Sequence, residues 1–271
     1  MPYQRRRPLI LVTNDDGIGA PGLYALGSAM TFLGDVVIIA PKEEQSAVGH
    51  SITIRGSVRA LPYTFSDALA SVTAVAIEGT PADCVKLALN TLLHKRPDLV
   101  VSGINRGSNM AVNIMYSGTV SAATESSIRG VDSLAVSLVE GPEGDYDAAA
   151  RYALAIARKV LRSRLPRGIV LNINVPPIPY EEIQGVMVTR LARSRWEESF
   201  IEGVDEANQP CYRYKGEFIN LDAGRDTDQY AVSHGYVSVS PIQHDLTAHG
   251  CLGVLGTWRW LKYLEPSGQH L

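Results

Sequence analysis

The stretch VTNDDGIGAPGLYAL, Val12–Leu26, follows a short apolar run and carries two overlapping signatures. Gly17, Gly19 and Gly22 spell G-x-G-x-x-G, which between a strand and a helix is the dinucleotide-binding fingerprint. Glu43 and Glu44 stand about twenty residues on, where a ribose-binding acid belongs. Directly before the glycines, however, come Asn14, Asp15 and Asp16. A pyrophosphate at this turn would meet two negative charges with nothing in the loop to neutralise them. Two adjacent carboxylates at a buried strand end also repel each other, and one is driven to protonate. A divalent cation removes both conflicts. The glycines are therefore read as backbone geometry and the aspartates as a metal seat.

Outward from this turn, apolar runs alternate with helical patterns. Pro8–Thr13 (PLILVT) is a continuous apolar run, the pattern of a strand buried on both faces. Pro21–Phe32 reads as a helix with Pro at its first position. Further strands are expected at Asp35–Ala40, Ser71–Ile77, Pro97–Ser102, Ser133–Val139 and Gly168–Val175. Helices are expected from Thr80, as N-cap, to about Leu93, and over Ser121–Arg129 and Tyr146–Leu165. Strands alternating with helices imply right-handed crossovers and a mostly parallel sheet covered on both faces. The character changes after residue 180. Met187–Arg193, Cys211–Phe218 and Tyr236–Ser240 read as more polar strands, antiparallel hairpins projecting from the core, followed by a segment Leu252–Leu264. Residues 1–180 are expected to form the catalytic core and 181–271 an extension of the same unit.

The bulk numbers exclude several classes. A net charge of −3 over 271 residues gives no basic field for nucleic acid. Cys84, Cys211 and Cys251 are odd in number and far apart, without C-x-x-C, which fits a reducing cytoplasm rather than a disulfide framework. The run after Arg5–Arg7 is too short for a signal peptide. No stretch approaches the roughly 18 apolar residues of a membrane span.

In an open parallel sheet, ligands bind beyond the carboxyl ends of the strands. That rule gathers three loops, Asn14–Gly17, Pro41–Ser51 and Gly103–Gly118. They bring together Asp15, Asp16, Ser46, Asn105, Ser108, Asn109, Ser117 and Thr119, nearly all of them oxygen donors, with His50 as the lone imidazole. Oxygen donors suit Mg²⁺, Mn²⁺ or Ca²⁺ rather than zinc. Gly103–Asn109 has the small residues and free N–H groups of an anion cradle. Ser117-Gly118-Thr119 precedes a helix, where N–H groups and the dipole favour phosphate. His50 is a candidate proton donor to a leaving group. His234, His244 and His249 have no zinc spacing and are read as surface or interface residues. Trp196, Tyr212, Tyr214, Tyr230 and Tyr236 form either a base-stacking surface or a subunit interface.

VTNDDGIGAPGL, APKEEQSAVGHSIT, GTPADCV, PDLVVSGINRGSN and YSGTVSAATE, in this order, resemble the SurE family of stationary-phase survival proteins, which are 5′/3′-nucleotidases. The match is close from residue 9 to about 140 and continues loosely through TDQYAVSHG (227–235), YVSVSP (236–241) and DLT (245–247). The resemblance implies a Rossmann-like three-layer α/β/α fold with a mostly parallel sheet and a C-terminal β-hairpin extension. It implies one divalent cation per subunit, Mg²⁺ or Mn²⁺, on Asp15, Asp16, Ser46 and Asn105. Asp15, Asp16 and Asn105 are the expected catalytic residues. Asn14, Gly49, His50, Ser108, Asn109, Ser117, Gly118 and Thr119 are expected around substrate and phosphate. It further implies a homodimer or homotetramer that exchanges C-terminal segments.

The expected reaction is hydrolysis of a nucleoside 5′- or 3′-monophosphate, with short polyphosphate as a further substrate. A water held at the metal or oriented by an aspartate is the expected nucleophile. Direct attack by Asp15 or Asp16 is the alternative. No duplex nucleic acid and no membrane is expected as partner. Two competing functions stand: an NAD-dependent oxidoreductase using Gly17, Gly19 and Gly22, and a non-catalytic, metal-dependent nucleotide-binding module.

Overall fold

The chain enters the core through a strand that is apolar at successive positions because both of its faces are covered. Ile10 and Val12 join one hydrophobic cluster, and Leu11 between them joins a second on the opposite face. A computed structural model describes residues 6–140 and 145–258. Its elements in chain order are β1 (Leu9–Thr13), α1 (Pro21–Met30), β2 (Asp35–Pro41), β3 (Ala60–Tyr63), β4 (Thr73–Ile77), α2 (Pro81–Leu87), β5 (Leu99–Arg106) and α3 (Gly118–Ile128). There follow β6 (Ser133–Leu138), α4 (Asp147–Ser163), β7 (Ile169–Val175), β8 (Gly185–Val188), β9 (Ser194–Val204), β10 (Pro210–Asn220), α5 (Asp228–Ser233), β11 (Tyr236–Gln243) and α6 (His249–Gly256).

Nine strands form one sheet in the order β3-β4-β2-β1-β5-β6-β7-β11-β8, and β9 with β10 form a separate antiparallel ribbon. The six strands from β4 to β7 run parallel. Helices α1 and α4 pack together over one face of this core, and α2 with α3 over the other. The molecule is thus the expected three-layer α/β/α fold with a hairpin appended. Chain order reverses direction at β1, between β2 and β5. The connections leaving β1 and β5 diverge there and open a crevice at the carboxyl ends of the strands.

Most elements stand where their patterns place them. Thr80 caps α2, and its hydroxyl accepts the Asp83 N–H at 3.1 Å. The Asp83 carboxylate in turn accepts the Thr80 N–H at 3.1 Å, completing a capping box. Several elements differ from these patterns. The helix from Thr80 leaves α-geometry after Leu87 and finishes in a single π-turn, Ala88–Leu92. The edge strand β3 contains Pro62, which an edge tolerates and which hides it in the sequence. β5 does not stop at Ser102 but continues through Gly103–Arg106 after a register shift. β11 and β8 belong to the main sheet, with β11 antiparallel to β7 and parallel to β8. Only β9–β10 projects as a hairpin, and β9 was unexpected because Glu197, Glu198 and Glu202 interrupt its apolar alternation. The segment Leu252–Leu264 reaches α6 and then passes outside the described residues. No helix among them is long and apolar enough to cross a membrane.

Two of the three fingerprint glycines are required by geometry. Gly17 holds φ +95° in the turn after β1. At Gly22 a Cβ would stand 2.1 Å from the Ile104 carbonyl oxygen, so its absence lets α1 settle on β5. At Gly19 the nearest atom to a Cβ is 3.6 Å away. Gly22→Ala is therefore expected to destabilise the fold by about 1–3 kcal/mol or more. It should lower the urea midpoint without changing the slope. Gly19→Ala should stay within about 0.5 kcal/mol of the parent.

Candidate active site

The turn after β1 is pinned by its own residues. Asn14 Nδ2 donates to the Gly17 carbonyl at 2.9 Å. This leaves Asp15 buried and Asp16 half-buried. The Asp15 carboxylate accepts a hydrogen bond from the Thr119 hydroxyl. Its backbone carbonyl accepts the Gln45 N–H at 2.7 Å, which draws the β2 loop against the β1 turn. Ser117 caps α3 by accepting the Val120 N–H at 3.0 Å. Gly118, the first residue of that helix, lies directly against Asp15: a Cβ there would be 2.7 Å from Asp15 Cβ and 2.8 Å from Oδ2. The carboxylate occupies the volume in which any other residue would carry a side chain.

Burial raises the pKa of Asp15, against the opposing hydrogen bonds from Thr119. Burial, followed by the charges of Asp15 and Glu44, pushes Asp16 up to about 7, against the backbone hydrogen bond from Arg106. Among the described residues no three of His, Cys, Asp and Glu gather as metal ligands. The candidate seat is therefore two carboxylates with hydroxyl and amide oxygens beside them. Carboxylates driven toward protonation by burial and mutual repulsion, in an oxygen-only setting, match a hard divalent cation.

A cleft of about 830 Å³ opens over this seat. Its floor includes Asp15, Ser46, Asn105, Ser108, Asn109 and Ser117, and its opposite wall includes Tyr116, Trp196, Tyr214 and Phe218. The loops after β1, β2 and β5 thus converge as the sheet rule requires. Asn14, Asp16, Gly118 and Thr119 do not line the cleft; Thr119 and Gly118 contact the Asp15 carboxylate, and Asn14 pins the turn through Gly17. Gly49 and His50 are not on the cleft wall. The Gly49 N–H donates to the Tyr116 carbonyl at 3.1 Å. His50 Nε2 lies 3.3 Å from the Glu125 carboxylate on α3. Glu125 also takes Lys86 at 3.3 Å and Arg129 at 3.1 Å. Burial alone would raise the Glu125 pKa, but the hydrogen bonds from His50, Arg129 and Lys86 outweigh it and hold it at about 2.

Asn109 spends its polar groups on the loop rather than on the open cleft. Its Nδ2 donates to Ser137 Oγ at 2.8 Å, and its N–H donates to Asn174 Oδ1 at 2.9 Å. Its carbonyl accepts from Asn172 at 2.7 Å and Asn174 at 3.3 Å. These two strand asparagines were missed from the sequence. Their i, i+2 spacing in an apolar strand was the available signal, since alternate residues share a sheet face. Asp228, fully buried, was missed too: it accepts the Ala111 N–H at 2.8 Å and the Ala192 N–H at 2.9 Å. It thereby ties the β5 loop to the base of the hairpin. Trp196 Nε1 donates to Asn113 Oδ1 at 2.9 Å, and the Trp196 and Phe218 rings meet edge-on at 5.6 Å. The aromatic wall is anchored to the loop that carries the cleft floor.

With this geometry in place, similarity to known proteins identifies the family. Residues 10–198 match the family model for survival protein SurE. The chain is 44% identical over 255 residues to the 5′-nucleotidase SurE of Christiangramia forsetii, covering 94% of this chain and 98% of that protein. It is 42% identical over 262 residues to the 5′-nucleotidase SurE of Chlorobium luteolum, covering 97% and 100%. The crystal structure of the SurE protein from Aquifex aeolicus superposes with a TM-score of 0.78 at 38% identity, covering 96% of this chain and all of the other.

Gly118→Ala adds a good helix former at a helix start, yet forces the Asp15 carboxylate aside. Displacements of about 1 Å at a reacting centre cost on the order of 100-fold. The variant should keep its circular dichroism spectrum and lose at least about tenfold in turnover of whatever substrate the cleft accepts. Glu125 gives a pH prediction. Its folded pKa of about 2 lies below the ordinary 4.5, so its stabilisation is present above pH 4.5 and is lost as pH falls toward 2. The stability difference between wild type and Glu125→Gln, on the order of 2 kcal/mol at pH 7, should shrink steadily in urea titrations taken down to pH 3.

Proposed function

This chain belongs to the survival protein SurE family, and on that premise we propose that it is a divalent-metal-dependent phosphomonoesterase. Its substrates are nucleoside 5′- and 3′-monophosphates, with short polyphosphate as a further one. The single observation that carries this reading is the Asp15–Asp16 pair at the sheet crevice, Asp15 buried against α3 and Asp16 half-buried, with Ser46 and Asn105 lining the same cleft as Asp15. Asp15, Asp16, Ser46 and Asn105 would hold one Mg²⁺ or Mn²⁺. When bound, the cation polarises a phosphoryl oxygen and offsets charge that develops on it, an effect of several kcal/mol.

The chain's own residues do the rest. Thr119 and Gly118 fix the Asp15 carboxylate, so the negative centre does not reorganise during reaction. Ser108, Ser117 and the N–H groups of the β5 loop face the phosphate. Asn109 acts mainly by holding that loop in shape through Ser137, Asn172 and Asn174. An aspartate-oriented water is the nucleophile in this reading, in preference to attack by Asp15 or Asp16 themselves, because both carboxylates are then free for the metal. Trp196, Tyr214 and Phe218 give the cleft an apolar wall on which a nucleobase can stack. His50, paired with Glu125, serves the α3 side of the loop rather than the leaving group.

The dinucleotide alternative conflicts with the electrostatics, since Asp15 and Asp16 stand where a pyrophosphate would lie. The decisive measurement is inorganic phosphate released from a set of 5′- and 3′-nucleoside monophosphates, with Mg²⁺ or Mn²⁺ and with EDTA. Wild type should be active only with metal, and Asp16→Asn should fall by at least about 100-fold. Equal release in all arms would refute the mechanism. Metal-dependent nucleotide binding without any release would favour the non-catalytic module. Binding of NAD without metal, undiminished in Asp15→Asn, would favour the oxidoreductase.

A further inference from the structure

The opposite edge of the sheet carries a second polar cavity. It measures about 370 Å³ and lies where the chain enters β5, β6 and β7, at the amino ends of those strands and across the sheet from the cleft. Arg96 precedes β5, Arg129 closes α3, and Arg164 and Arg167 stand in the turn between α4 and β7; all four line the cavity. Asp132 is the sole carboxylate among its lining residues.

The guanidinium groups are unequally matched. Arg164 pairs with Asp132 at 3.0 Å. Arg129 is held by Glu125 at 3.1 Å and Asn90 at 2.6 Å. Arg96 donates only to a neutral acceptor, the Arg129 carbonyl, and Arg167 makes no ion pair among the described residues. Among the described residues, two positive charges on this wall are therefore left without a carboxylate. An independent observation falls on the same wall. Ser127 lines the cavity and is 4% exposed, yet its Oγ finds no hydrogen-bond partner. A buried hydroxyl without a partner costs about 1–3 kcal/mol and calls for an explanation.

We propose that this cavity is a binding site for a dianionic phosphate group, remote from the catalytic cleft. Two uncompensated guanidinium groups balance two negative charges, and planar N–H forks match phosphate oxygens. A half-open hollow of about 370 Å³ suits a compact oxyanion rather than an extended polyanion, for which a basic track would be needed. The phosphate group has two available sources, inorganic phosphate and the monoester head of a nucleotide. Helix α3 touches both sites, Asp15 through Gly118 and Thr119 at its start and the arginine cavity through Ser127 and Arg129 at its end.

The test is calorimetric titration of the whole chain in EDTA, with inorganic phosphate in one arm and AMP in the other. Wild type should bind inorganic phosphate without metal, and Arg96→Ala/Arg167→Ala should weaken that binding by at least about tenfold. Metal-supported hydrolysis in the double variant should be unchanged at saturating substrate. Asp16→Asn should bind phosphate in EDTA as wild type does, which separates this site from the catalytic reading whichever way that reading falls. Competition by AMP assigns the nucleotide head as an occupant, and its failure to compete assigns free phosphate; both uphold the site. Phosphate binding that is absent in wild type, or unchanged in the double variant, overturns it. If the double variant melts early, Arg167→Ala alone carries the same test, since it has no ion pair to lose.

Discussion

Two carboxylates on consecutive residues, at the buried end of the central strand, impose a condition that much of this molecule satisfies. Asp15 is kept in place by a hydroxyl on its side chain, a backbone N–H on its carbonyl, and a glycine whose missing side chain makes room for it. Two of these come from the start of α3, Thr119 and Gly118, and the third from the loop after β2. Repulsion between Asp15 and Asp16 is the price of that arrangement, and burial enlarges it. A site of this kind is poor at holding a neutral molecule and well suited to a compact cation.

The crevice that houses the pair follows from strand order. β1 is flanked by β2 and β5, whose chain connections leave in opposite directions. The loops are then made rigid by polar groups buried in otherwise apolar elements. Asn172 and Asn174 reach from β7 to the backbone of Asn109, and Asp228 bridges two backbone segments. Such groups are costly to bury unpaired, and the bonds that Asn172, Asn174 and Asp228 make to backbone favour one loop conformation over others. The same logic explains Glu125, which takes Lys86, Arg129 and His50, the last of these at the far end of the loop that carries Ser46.

Much of this was legible in the sequence, and what was not has identifiable causes. Strands buried on both faces announce themselves as unbroken apolar runs, which is why β1, β2, β5, β6 and β7 were readable. Thr80-Pro81-Ala82-Asp83 displayed its cap because the relevant hydrogen bonds are local. The carboxylate pair stood out in the sequence because like charges side by side have few structural excuses. Long-range partners carry no local signal. Nothing near Asn174 points to Asn109, 65 residues away, and nothing near Asp228 points to Ala111, 117 residues away. β8 and β11 looked like hairpin strands because their sheet neighbours are set by topology rather than by adjacent turns. His50 stood near Ser46 in sequence, but the loop turns it toward α3.

The ribbon of β9 and β10 stands outside the nine-stranded sheet and still supplies Trp196, Tyr214 and Phe218 to the cleft. The floor residues belong to the first half of the chain, and three of the four aromatic residues opposite them come from a segment that shares no strand pairing with the core. Insertions or substitutions along that ribbon reshape the mouth of the cleft without shifting the register of any core strand. The fold therefore places the carboxylate pair on the main sheet and the aromatic side of the cleft on a ribbon that can change shape independently of it.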